Sequence, residues 1–189
     1  MFARRIALFF SGFMVAAAVH AQALPSATGG GLNIQAGAGV SVAKPDYGDQ
    51  TVKGVSFFGN ADLPMGLGLD VEYHDTNIIT PLDLGESSFM GGLRYGRLTH
   101  RFYPYGKVLA GVGTLSFQQG YYVTSSSSTH GAYAFGAGLD YRLKGHLVIR
   151  PIDVEYQKWT YQPNGLTPLV FTFGAAYRFG TDVVTYRSR

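Results

Sequence analysis

The sequence predicts an all-β fold: one eight-stranded antiparallel up-and-down barrel that crosses a membrane. Three observations carry this reading. Eight successive segments alternate bulky apolar with polar or small residues, the period of strands that bury one face. The links between them alternate between short and long. Charged residues make up only 14% of the 189, against 46% hydrophobic residues and 26 glycines. That is little charge for a soluble domain and too much apolar surface for disorder. A mean hydropathy of +0.05 does not fit a bundle of membrane helices. The absence of cysteine excludes a disulfide framework, a cysteine zinc site, iron–sulfur ligation and thiol catalysis. The net charge of +3 is spread along the chain, with no basic stretch dense enough for nucleic acid.

Residues 1–23 read as a cleaved secretory signal peptide. Arg4 and Arg5 form the positive region, residues 6–19 the apolar core, and Ala21-Gln22-Ala23 an A-x-A cleavage site, with cleavage after Ala21 the alternative. The apolar run is too short for a spanning helix, which needs roughly 20 residues. A short lead, residues 24–30, precedes the barrel region, residues 31–179, and residues 180–189 are expected to form a short periplasmic tail.

The first segment sets Leu32, Ile34, Ala36, Ala38, Val40 and Val42 against Asn33, Gln35, Gly37, Gly39 and Ser41. The second, near residues 51–63, opposes Val55, Phe57, Ala61 and Leu63 to Ser56, Asn60 and Asp62, with Phe58 out of place on the polar side. The third alternates Leu67, Leu69, Val71 and Tyr73 with Gly68, Asp70, Glu72 and His74. In the fourth, Phe89, Leu93 and Tyr95 oppose Met90, Gly92 and Arg94. The fifth opposes Val108, Ala110 and Val112 to Tyr105, Lys107 and Leu109. The sixth opposes Tyr133, Phe135, Ala137, Leu139 and Tyr141 to Ala134, Gly136, Gly138, Asp140 and Arg142. In the seventh the phase changes at Pro151. A β-bulge there, where proline is tolerated, returns Arg150, Asp153, Glu155 and Gln157 to one face. The eighth alternates Leu169, Phe171, Phe173, Ala175, Tyr177 and Phe179 with Val170, Thr172, Gly174, Ala176 and Arg178.

Links at residues 64–66, 97–102 and 143–145 are short, whereas those at 44–50, 75–86, 117–130 and 158–166 are long and polar. Transmembrane barrels keep short turns on the periplasmic side and long loops outside. The serine run 125–128, after Tyr121-Tyr122, reads as a solvated outer loop.

The two faces differ in charge. Asp70, Glu72, Arg94, Lys107, Asp140, Arg142, Arg150, Asp153, Glu155 and Arg178 all fall on the face rich in glycine, alanine and serine. The opposite face is apolar. An eight-stranded barrel has little interior volume, so small residues and paired charges suit its inside, and bulky residues suit lipid. A lipid-facing Arg or Lys at mid-depth costs roughly 2–4 kcal/mol. The alternative is a secreted lipocalin-like binder, with the faces exchanged and a ligand cavity inside. Tyr95, Tyr103, Tyr141, Tyr177 and Phe179 near one rim, and Tyr73, Tyr156 and Trp159 near the other, read as aromatic girdles.

In the last segment, Thr172, Gly174, Tyr177 and Phe179 follow a polar-x-Gly-x-x-aromatic-x-aromatic pattern. This resembles the terminal-strand signal read by the bacterial barrel assembly machinery, although here ten residues follow it. With the signal peptide and seven further strands, the chain resembles the small eight-stranded outer-membrane barrels, the group of the outer-membrane protein A transmembrane domain, outer-membrane protein X and the opacity-type adhesins. The resemblance implies a bacterial outer-membrane location, lipid and the assembly machinery as partners, and a lumen packed by a charged network drawn from the ten residues above. Such charges should be mostly paired, because a lone buried charge is costly.

Little points to catalysis or a cofactor. His74-Asp75, placed at an outer strand end with Ser87 and Ser88 across the loop, reads as a solvated loop histidine; a lipid-modifying site there is the competing reading. His100, His130 and His146 stand apart without metal-ligand spacing. The Gly-x-Gly elements at 37–39, 66–68 and 111–113 precede no helix and are not phosphate loops. The expectation is a structural or interaction-bearing barrel without enzymatic activity, cofactor or metal, and with a narrow ion channel as the nearest membrane alternative.

Overall fold

The computed structural model describes residues 32–46, 51–63, 65–76, 84–117, 127–160 and 165–179. The segments read from the sequence as signal peptide, lead and tail, and Ser125-Ser126, lie outside the described residues. Eight strands form one closed antiparallel barrel in which each strand pairs with its sequence neighbours and β8 returns to β1. They are β1 (Asn33–Lys44), β2 (Val52–Asp62), β3 (Leu67–Asp75), β4 (Leu84–Gly96), β5 (Phe102–Phe117), β6 (Ser127–Arg142), β7 (Leu147–Trp159) and β8 (Leu169–Phe179). Closure leaves no unpaired edge, the condition for crossing lipid with strands.

The register fixes the tilt. From Ile34 the pairing runs through Ala61, Leu69, Leu93, Val108, Phe135, Tyr156 and Leu169, and returns to β1 at Lys44, ten residues further along (from 34 to 44). Ten residues of stagger over eight strands tilt each strand by about 40° and set a backbone radius of roughly 8 Å. The interior is therefore a space for side chains.

The alternation determines what fills it. Outward residues include Phe57, Leu69, Phe89, Leu93, Val108, Phe135 and Phe173, each about half exposed. Inward residues include Glu72, Arg94, Lys107, Asp140, Arg150, Asp153 and Glu155, all buried. This arrangement puts the apolar belt outside and rules out a lipocalin-like cavity. In β7, Arg150 and Asp153 both face inward while Pro151 and Ile152 are exposed, and the register to both neighbours shifts there. The bulge sits at the proline, which has no N–H to donate to a ladder. Gly66 and Gly145 take left-handed conformations, φ 84° and 80°, in short turns, where a side chain would be strained.

Three expectations are corrected. Ser127 and Ser128 belong to β6, paired with Ser116 and Leu115, because the β5–β6 ladder continues beyond the apolar belt. Tyr103 and Trp159 are 5% and 2% exposed and lie in the lumen. They share inward parity with Lys107 and with Glu155, which outweighs their nearness to a rim. The outward aromatics at the short-turn end include Tyr95, Phe102, Tyr177 and Phe179, with Phe102 against Tyr141 at 5.0 Å and Tyr177 against Phe179 at 4.9 Å.

Candidate functional site: the charged lumen

Glycine makes room for the lumen's large side chains. A Cβ at Gly37 would lie 2.5 Å from the Phe58 ring, and one at Gly113 2.5 Å from the Trp159 indole. Gly96 stands in the same relation to Tyr103, and Gly138 to Tyr105. Phe58, out of pattern in the sequence, lies under a cation: the Arg150 guanidinium is 3.7 Å from its ring centroid. Arg94 lies 4.0 Å from the Tyr105 ring centroid. Such contacts supply attraction to a desolvated cation without a further charge.

Three cations hold most of the acids. Lys107 on β5 donates to both Glu72 oxygens at 2.7 Å and to Glu155 Oε1 at 2.6 Å, with Asp153 Oδ1 at 2.8 Å. Arg150 on β7 reaches Glu72 and Asp140, each at 3.0 Å. Arg94 on β4 reaches Asp140 at 3.1 Å, Asp62 at 3.2 Å and Asp70 at 3.7 Å. Tyr105 donates its hydroxyl to Asp153. The chain Lys107–Glu72–Arg150–Asp140–Arg94 thus joins β5, β3, β7, β6 and β4 across the lumen. Arg142 and Arg178 lie toward the short-turn rim. Arg142 lies 5.6 Å from the Tyr103 ring centroid, and Arg178 donates to the Gly145 carbonyl at 3.1 Å.

His74 departs from the solvated reading: it is 2% exposed, inside the barrel. Its Nε2 faces Glu72 at 3.3 Å and Glu155 at 3.5 Å. Two acceptors there fix a proton on Nε2, while Nδ1 meets the Ser41 hydroxyl at 3.0 Å. Toward the long-loop end, Trp159 Nε1 donates to Gln157, and Gln157 Nε2 to Glu155, both at 3.0 Å. Ser41, Asp62, His74, Tyr105 and Gln157 join the network beyond the ten charged residues that the sequence pattern picks out. Inward parity is the signal that marks them.

Ser41, His74 and Glu72 are connected in the order nucleophile, base and orienting acid. Ser41, however, is fully buried and also meets Thr172 Oγ1 at 3.4 Å, which leaves no room for a substrate carbonyl. Donor atoms of Glu72, His74 and Glu155 lie within 4.8 Å of one another, a spacing a cation would suit. The Lys107 ammonium already meets both carboxylates there. His74 and Ser88, cross-strand partners, face the lumen, while Ser87 is half-buried on the outward parity of β4, so the three meet at the long-loop end of the lumen and not at a lipid-facing site. The cleft they line with Thr76, Glu86, Gln157 and Trp159 has room for little more than a water-sized group.

Residues 7–179 match the family described as outer membrane protein beta-barrel domain. Among solved structures, the chain is similar to Neisserial surface protein A (18% identity, 80% of this chain and 99% of that one, TM-score 0.59). It is also similar to Ail, the attachment invasion locus protein of Yersinia pestis (18%, 78% and 99%, TM-score 0.54). A third similar structure is the outer membrane protein OprG from Pseudomonas aeruginosa (16%, 80% and 97%, TM-score 0.53). No curated relative matches the sequence.

Proposed function

Because the chain belongs to the outer membrane protein beta-barrel domain family, we propose that it serves in the bacterial outer membrane as a structural and interaction barrel, non-conducting and non-catalytic. The observation that carries this reading is the lumen lattice from Lys107 through Glu72, Arg150 and Asp140 to Arg94. Its members bond to one another across the interior and fill the path an ion would take. The lattice holds the strands together from within while the apolar belt meets lipid. The long-link end of the barrel faces outward, as the side for contact, and the short-turn end faces the periplasm.

Export follows from the N-terminal segment, which leaves a mature chain beginning at Leu24, or at Gln22 if cleavage follows Ala21. Assembly engages the pattern on β8. Tyr177 and Phe179 point outward there, about half exposed, within reach of an assembly factor before β8 closes on β1. Planar-bilayer recording of the purified protein tests the central reading. Insertion without steady single-channel current is expected. A reproducible ohmic conductance would make the protein a narrow channel.

A further inference from the structure

Three lysines face outward at the long-loop end: Lys44 on β1, Lys53 on β2 and Lys158 on β7, all exposed. Their heights follow from the register. The pairing climbs ten residues toward the long loops in one circuit of eight strands, so a line parallel to the membrane drops slightly more than one residue per strand relative to the ladder. From Lys44, one step to β2 meets the position of Lys53 to within about one residue. Two steps the other way, through Leu169 and Tyr156, meet Lys158 equally closely. The three lysines therefore leave the backbone at about one height, on an arc roughly 20 Å long over β7, β8, β1 and β2.

Directly below them the outward residues are Val42, Val55 and Tyr156, so the arc marks the upper edge of the apolar belt. Lysine stems lie along such apolar surface while the charges reach the headgroup layer. Among the described residues, the carboxylates nearest in register accept hydrogen bonds from other groups. Asp46 accepts from the Thr167 amide and hydroxyl at 2.9 and 2.7 Å, and Asp75 accepts from Tyr73 at 3.2 Å. Lys44 and Lys53 are diagonal neighbours on paired strands, near enough for one anion to lie between their side chains. At the same height on the far side, the outward residues are Ser87, Thr114 and Gly131, without a cation.

We infer that Lys44, Lys53 and Lys158 form a one-sided binding arc for the phosphate groups of an anionic glycolipid in the outer leaflet. The inference rests on the outer-membrane reading above. A basic side chain close to an anionic membrane surface contributes roughly fivefold to association, so the three together contribute on the order of a hundredfold.

The test uses the full chain refolded in zwitterionic detergent and titrated with diphosphorylated lipid A, bound lipid being counted by native mass spectrometry. The K44Q/K53Q/K158Q variant is expected to bind on the order of a hundredfold more weakly, and lysine-to-arginine changes at the same three positions to restore binding. Lipid A stripped of its phosphates should bind the unaltered protein as weakly as lipid A binds the triple variant. K144Q, on an exposed periplasmic turn, should bind normally. Equal binding by the triple variant, equal loss in K144Q, or displacement of the lipid by inorganic phosphate at millimolar concentration would each overturn the assignment. The gel mobility of each unboiled sample distinguishes loss of the barrel from loss of the lipid site.

Discussion

Replacing Lys107 with Met removes one ammonium and leaves three buried carboxylates facing one another. Glu72 and Glu155 lose donors at 2.7 and 2.6 Å, and Asp153 a partner at 2.8 Å. Arg150 still reaches Glu72, Tyr105 still reaches Asp153, and Gln157 still reaches Glu155, so no acid is stripped of every donor. Removing one member of a buried pair costs about 3–5 kcal/mol. With three acids affected and each partly compensated, K107M is expected near the upper end of that range, about 5 kcal/mol. Urea titration of the barrel folded in phospholipid vesicles measures it, with the folded fraction read from gel mobility. Glu155→Gln removes one of the repelling charges, so K107M/E155Q should be more stable than K107M, and the two substitutions should couple by at least 1 kcal/mol in the double-mutant cycle. A K107M barrel within 1 kcal/mol of the unaltered protein, or additive substitutions, would refute the view that Lys107 holds these acids together.

Other perturbations test the faces and the packing. Phe135→Arg, on the outward face of β6, should cost about 2–4 kcal/mol in the same titration, whereas Thr129→Arg, above the belt, should cost no more than about 1 kcal/mol; equal costs would contradict the assigned depth. Gly113→Val forces a side chain against the Trp159 indole and should destabilise by about 1–3 kcal/mol, with a red shift of fluorescence from this lone tryptophan. His74→Ala removes contacts to Ser41, Glu72 and Glu155 and should lower stability while leaving the lipid composition of the outer membrane unchanged; an altered lipid profile would revive an enzymatic reading.

The period-two pattern reveals the fold because a membrane barrel sorts residues by face more strictly than a soluble sheet. Leu67, Leu69 and Val71 against Asp70 and Glu72 leave one orientation open once lipid is outside. Pro151 marks its own bulge, since a residue without an N–H fits where the ladder is interrupted. The pairing inside the lumen is a different matter. Lys107 meets Glu72 and Glu155 from positions 35 and 48 residues away, and only closure with a ten-residue stagger brings β3, β5 and β7 to one point. Nearness to a strand end suggests a rim position for Tyr103 and Trp159, but parity decides and turns both into the lumen. For His74, the turn-forming character of Asp75 suggests a strand end, whereas β3 runs through Asp75 and keeps the imidazole on the inward face. The side-chain volume that Gly37, Gly96, Gly113 and Gly138 yield to four aromatic rings has no signature in one-dimensional alternation.

The protein is a closed barrel with its charges inside and its apolar belt toward lipid. The most direct measurement is electrophoresis in SDS of the native protein from isolated outer membranes, with and without boiling. A compact barrel held by eight paired strands resists detergent, so the unboiled band should migrate faster than the boiled one. Recovery of the protein in the soluble fraction, with identical mobility before and after boiling, would contradict the account.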